Sequence, residues 1–264
     1  MKKITANGIS INYALEGPAD APVLTLSHSL ATTLAMWDPQ MPALTRRWRV
    51  LRYETRGHGA TDAPAGAYSL EQLADDARAL LDALGIQRTH WLGLSMGGMI
   101  GQTLALRAQD RLASLILADT SSRIPPEARP TWQERIRTAE TQGMEPLVEP
   151  TIGRWFTAPF RERRPDVVDR VRAMIRGTNP RGYVGCCHAI SALNLTDRLG
   201  AVKLPALVVV GEEDQGTPVA AARAIHEGIK GSELVVIPAA AHLANVEQPE
   251  AFTDAITKFL NRVA

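Results

Sequence analysis

WLGLSMGGMIG, from Trp91 to Gly101, sets one serine between glycines where an apolar run gives way to a stretch rich in Gly, Ala and Leu. Residues 90–94 predict a buried strand and residues 97–108 a helix. Ser95 at that corner is either a polar residue on a plain turn or a nucleophile raised on a strained backbone. Gly93-Leu94-Ser95-Met96-Gly97 has the G-x-S-x-G spacing of the second kind, in the strand-then-helix context it requires. Glycines suit such a corner because side chains there would collide with neighbouring elements. The helix N-terminus beside Ser95 offers unpaired N–H groups and a positive dipole end.

Short apolar runs continue on both sides of this corner. Residues 9–15 alternate as a half-buried strand does, and 23–27 and 50–54 read as strands. Ser69 can cap a helix, with Gln72 three residues on as a capping box needs, and Leu70, Leu73, Ala77, Leu80, Leu81 and Leu84 follow a helical period. Further strands are predicted at 112–118, 204–211 and 234–237, and Phe252, Ile256, Phe259 and Leu260 mark a last helix. Strand and helix in alternation predict an α/β fold, a mostly parallel sheet flanked by helices on both faces.

Residues 121–198 break the rhythm, with helical patterns and no β-run. They predict a helical cap, or lid, inserted into a core made of residues 1–120 and 199–264. The stretch 121–200 carries 13 arginines, no lysine and 9 acidic residues, a net +4; the remaining 16 basic and 19 acidic residues give −3. Arginine offers a planar fork that lysine lacks and that grips carboxylates. Solvated helix faces account for most such arginines, but a surplus over a pocket favours an anionic substrate.

The bulk composition narrows the function classes. With 264 residues, 45% of them hydrophobic, a sizeable core forms without disulfides or metals. A net charge of +1 gives no reason to expect nucleic acid. Cys186 and Cys187 are adjacent, poorly placed to bridge each other, and read as free thiols of a reducing compartment. No Cys/His spacing suits a metal. The start, MKKITANGISINY, lacks the apolar run of a signal peptide, and no segment approaches ~18 apolar residues. A cytoplasmic, soluble chain is expected, with no membrane partner; its oligomeric state is open.

A serine nucleophile needs a base, and the base needs an orienting acid. His90, His226, His188 and His58 fall in a strand, a helix, the cap and a turn, where structural roles are expected. His242 follows the last strand through small residues that leave a loop tip open. Asp214, in the loop after 204–211, is the expected acid, giving the order Ser, Asp, His. Its rival is Asp119, after 112–118, which otherwise starts a helix or bonds its loop. The oxyanion donors are expected to be the N–H groups of Met96 and of Leu30, the latter in the loop Ser27-His28-Ser29-Leu30-Ala31-Thr32-Thr33. Trp132 and Arg135, an i, i+3 pair, are candidates for the pocket roof.

Together the elbow, Asp214, His242, the Arg56-Gly-His-Gly turn and the helical insert resemble the α/β-hydrolase superfamily over nearly the whole chain. The segments Leu92-Gly-Leu-Ser-Met-Gly-Gly-Met-Ile-Gly-Gln, Leu-Ala-Met-Trp37-Asp, Tyr183-Val-Gly-Cys-Cys and Asn245-Val-Glu-Gln-Pro look most like those of 3-oxoadipate enol-lactonases. His28 and Glu54 depart from the Asn and Asp usual there. The resemblance implies a hydrolase of a small anionic lactone, working without cofactor or metal in the β-ketoadipate route of aromatic catabolism. A carboxylesterase or carbon–carbon bond hydrolase of the same fold, a cofactor-free haloperoxidase-like enzyme and a non-catalytic ligand sensor are the alternatives.

Overall fold

The computed structural model describes residues 1–263. In chain order its strands are β1 (Lys2–Ala6), β2 (Ile9–Glu16), β3 (Val23–Ser27), β4 (Arg49–Tyr53), β5 (Thr89–Leu94), β6 (Leu112–Ala118), β7 (Ala206–Gly211) and β8 (Glu233–Ile237). The helices are α1 (Met41–Leu44), α2 (Leu70–Ala83), α3 (Met96–Arg107), α4 (Arg129–Gln142), α5 (Glu145–Trp155), α6 (Ala158–Arg163), α7 (Pro165–Gly177), α8 (Pro180–Ser191), α9 (Val219–Gly228), α10 (Ala244–Glu247) and α11 (Pro249–Val263).

One sheet runs β1-β2-β4-β3-β5-β6-β7-β8. Every pairing from β4 and β3 onward to β8 is parallel, while β1 with β2 and β2 with β4 are antiparallel. The sheet is thus mostly parallel, as expected, with an antiparallel edge. Asn7 and Gly8, both at positive φ, turn β1 back on β2 as a tight hairpin. Strands β5 and β7 are buried along their whole length, as strands covered on both faces must be, so they read as continuous apolar runs.

Helix α2 begins where expected: Ser69 Oγ accepts the Gln72 N–H at 3.1 Å. It buries Leu70, Leu73, Ala77, Leu80 and Leu81 on one face. Truncating one of these leucines to Ala removes about 2–5 kcal/mol of stability.

Helices α4 to α8 form one insertion between β6 and β7. Its last helix meets the core backbone to backbone. A Cβ added to Gly182 would lie 2.2 Å from the Gly57 carbonyl oxygen, so neither position has room for a side chain. Nearby, the Tyr68 N–H donates to the Gly185 carbonyl at 3.1 Å. The Gly57 turn is fixed from below by a buried fork–fork pair between Arg56 and Asp76 (2.7 and 2.6 Å). Removing one partner of such a pair costs about 3–5 kcal/mol.

Candidate active site

Ser95 ends β5 and precedes α3 at φ 55°, ψ −114°, a backbone region that costs about 1–3 kcal/mol for a residue with a side chain. The surroundings over-determine it. The Ser95 N–H donates to the Ala118 carbonyl (2.9 Å), and Thr120 Oγ1 donates to the Ser95 carbonyl (2.7 Å). A Cβ on Gly97 would lie 2.0 Å from the Ser27 carbonyl oxygen, and one on Gly93 2.1 Å from that of Gly97. The glycines of the motif thus hold β3, β5 and α3 at contact distance, and the turn that results puts Ser95 on a cavity wall.

Asp214, after β7, and His242, after β8, meet at 2.8 Å between Oδ2 and Nδ1. Thr217 Oγ1 also donates to Oδ2 (2.6 Å), and the Gly216 and Thr217 N–H groups donate to Oδ1 (2.8 and 3.0 Å). Burial pushes this carboxyl up, but the imidazole and the Thr217 donors outweigh it and hold it below the ordinary aspartate value. An ionised Asp214 can only accept, so Nδ1 of His242 carries a proton, and in the neutral ring the lone pair is on Nε2. Ser95 and His242 line the same cavity; among the described residues no hydrogen bond joins Ser95 Oγ to the ring. Among the described residues Asp119 makes no hydrogen bond to His242. Its Oδ1 accepts the Gly211 N–H at 2.8 Å, tying the end of β6 to the end of β7, just before the loop that carries Asp214. Burial and the nearby Asp214 charge push its carboxyl well up.

The loop after β3 is braced by two histidines. The Thr55 N–H donates to His28 Nε2 (2.9 Å), so His28 Nδ1 carries a proton and donates to the Ser29 carbonyl (2.7 Å). The Ala31 N–H donates to His58 Nε2 (2.9 Å). Rings that accept through Nε2 are neutral, and burial agrees: it drives His28 down to about 3, with His58 adding to the effect, and His58 down to about 4. The Ser29 N–H is spent on Met36 Sδ at 3.3 Å. Of these three consecutive amides, only that of Leu30 makes no hydrogen bond among the described residues, and Leu30 lines the cavity. The Met96 amide, first in α3, is likewise unspent.

The cavity holds about 430 Å³ between the sheet's loops and the insertion. Trp132 and Arg135 both line it, the guanidinium 4.6 Å over the indole ring. Two further residues, unforeseen in the sequence, join them. Arg154 of α5 lines the cavity, half-buried, with a 3.2 Å bond to Thr151 Oγ1; burial, then the Arg135 charge, lower its affinity for a proton. Trp155 stacks on His242, with ring centroids 5.9 Å apart. On the outer surface Arg172 and Arg176 pair with Glu149 and Glu145, whereas no carboxylate among the described residues pairs with Arg135 or Arg154. Nothing in the sequence separates Arg154 from the other arginines of the insertion.

No group of three or more His, Cys, Asp or Glu among the described residues could hold a metal ion, and both cysteines are free and buried. Among the described residues no helix is long and apolar enough to cross a membrane.

Residues 22–249 match the family model described as alpha/beta hydrolase fold. A 3-oxoadipate enol-lactonase of Acinetobacter baylyi is 38% identical over 259 residues, covering 98% of this chain and 96% of the other. Among solved structures, the enol-lactonase of Burkholderia xenovorans superposes with a TM-score of 0.95 at 40% identity, over 98% of this chain and 100% of that one. A thermophilic esterase of Thermogutta terrifontis superposes at 0.93 with 32% identity, covering 99% and 98%.

Proposed function

The chain belongs to the alpha/beta hydrolase fold family, and from that premise we propose a serine hydrolase that opens a small anionic lactone, 3-oxoadipate enol-lactone, to 3-oxoadipate. The observation that carries this reading is the 2.8 Å contact of Asp214 with His242 on a cavity that also holds Ser95 and two arginines without carboxylate partners. The similarity to two enol-lactonases supports the substrate.

Ser95 Oγ attacks the lactone carbonyl while His242 Nε2 takes its proton. Asp214 holds the ring in the right tautomer and stabilises the imidazolium. The N–H groups of Leu30 and Met96 bind the oxyanion of the tetrahedral intermediate. Its collapse breaks the ring C–O bond and expels an enolate, a better leaving group than an alkoxide because its charge is delocalised. The enolate takes the proton held by the His242 imidazolium and becomes the ketone, which leaves the ring neutral. Water, deprotonated by His242, then attacks the acyl carbon, and the same proton passes to Ser95 Oγ as the acid leaves. No cofactor enters these steps.

Residues 121–198 act as the cap over a core of 1–120 and 199–264. Trp132, Arg135 and Arg154 receive the free carboxylate of the substrate, with the guanidinium forks as donors. The reading is tested by following loss of enol-lactone absorbance with the purified chain and with Ser95→Ala. Turnover by the native chain alone supports it. No turnover, or equal turnover by the variant, overturns it.

A carboxylesterase of wider scope is the second reading. The similarity to the Thermogutta esterase favours it, as do Met99, Ile124 and Ile190 on the cavity wall, which suit an apolar acyl or alcohol group. A panel of neutral esters set against the lactone separates the two.

A further inference from the structure

We propose that Glu247 is a positioning residue that ties His242 to the helical insertion, so that the seat of the base is set by where residues 155–157 lie; this rests on the acyl-transfer role given to His242 above. Glu247 ends α10 and is 4% exposed. Its Oε2 accepts the N–H of Ala241, the residue before His242, at 2.8 Å. Its Oε1 accepts two donors from Thr157, ninety positions away: the N–H at 2.9 Å and Oγ1 at 2.5 Å. One carboxylate thus spans the insertion and the base loop.

The neighbouring contacts point the same way. The Leu243 N–H donates to the Trp155 carbonyl at 3.2 Å. The Trp155 ring stacks on the His242 ring itself. Residues 241, 242 and 243 are therefore each held by segment 155–157: one through Glu247, one through the indole, one directly. No cation pairs with Glu247 among the described residues. Three N–H and O–H donors satisfy it instead, and they come from the two parts of the chain whose alignment matters. A prop that stabilised only its own loop would have no need of Thr157.

A displacement of about 1 Å in a reacting group can cost on the order of a hundredfold in rate. The imidazole sits one residue from the Ala241 end of this bridge, so loosening the Thr157 end moves the base without touching it.

The test uses the full chain, 4-nitrophenyl acetate as a substrate too small to require the cap arginines, and the downfield Nδ1 proton resonance of His242 read by NMR. Thr157→Val is expected to lower kcat on the order of tenfold with little change in KM, to shift the acid limb of the kcat profile and to move the resonance. Thr157→Ser, which keeps the hydroxyl, restores all three. Thr157→Val combined with Glu247→Gln is expected to be no worse than Glu247→Gln alone, since both cut one link. Additive losses would instead trace the effect to the weak cap that Thr157 Oγ1 gives the Phe160 N–H (3.4 Å), and would overturn the proposal. So would native kcat, acid limb and resonance in Thr157→Val, or a change in KM alone. If Glu247→Gln does not fold, the Val and Ser variants at 157 decide. If the native chain shows no Ser95-dependent ester cleavage, the acyl-transfer role fails by itself, and the resonance still reads whether Thr157 sets the imidazole.

Discussion

The N–H of Ala31 donates to Nε2 of His58 across 2.9 Å. Ala31 follows Leu30 directly and sits at φ 59°, so a ring from a distant turn holds a strained backbone next to the unspent Leu30 amide. His58→Phe removes the acceptor and keeps the bulk. We expect kcat on a chromophoric ester to fall on the order of a hundredfold, the usual loss when one oxyanion donor is misplaced, with KM little changed. His58→Gln, whose Oε1 reaches near the position of Nε2, should recover most of that loss.

Asp214→Asn keeps the shape of the acid but offers the imidazole a neutral partner that can stabilise the wrong tautomer. Steady-state kcat should drop by about 10³–10⁴-fold. Ser95→Ala should abolish the burst of leaving group from a chromophoric ester, while the circular dichroism spectrum stays native.

Stability should depend on pH through the buried imidazoles. His28 and His58 titrate at about 3 and about 4 in the fold, against roughly 6.5 in the unfolded chain. As pH falls, the unfolded chain takes up protons first. Their contribution is therefore complete above about pH 6.5 and is lost progressively below it, down to the folded values. Between pH 7.5 and 4.5 these two rings should together lower the stability read from urea unfolding by on the order of 5 kcal/mol. His58→Gln should make that slope shallower. Asp214, held below the ordinary aspartate value, adds its own loss only at still lower pH.

Arg135→Ala and Arg154→Ala should each raise KM for the anionic lactone about tenfold or more and leave KM for a neutral ester of similar size near its native value. Equal effects on both substrates would remove the two guanidiniums from carboxylate binding. Arg154→Lys should restore little, because a point charge does not replace a fork.

What the sequence reveals and what it hides divide along a physical line. Strand β7 is legible because burial on both faces forces an unbroken apolar run over Ala206–Gly211. Strand β1 is not: Lys2-Lys-Ile-Thr-Ala6 lies on the sheet edge, largely exposed, and only the Asn7-Gly8 turn marks it. The meeting of Asp214 with His242 follows from chain order, since they lie in the loops that follow the neighbouring strands β7 and β8. Trp155 and Glu247 are hidden because their partners come from elsewhere in the chain, and Arg154 because the cavity it lines is built from distant segments. Thr157 and Glu247 are ninety residues apart, and no local pattern records that contact. His28 and His58 look like loop residues for the same reason; each is defined by which amide it accepts.

The contact of Gly57 with Gly182 sets a rule for exchanging parts between relatives. A chimera that grafts a foreign helical insertion onto this scaffold will seat only if the graft brings a residue without a side chain to the place of Gly182. An alanine there would lift the graft's final helix off the scaffold, and with it the roof above Ser95. The room available for new substrates is therefore governed by a junction with no chemistry of its own.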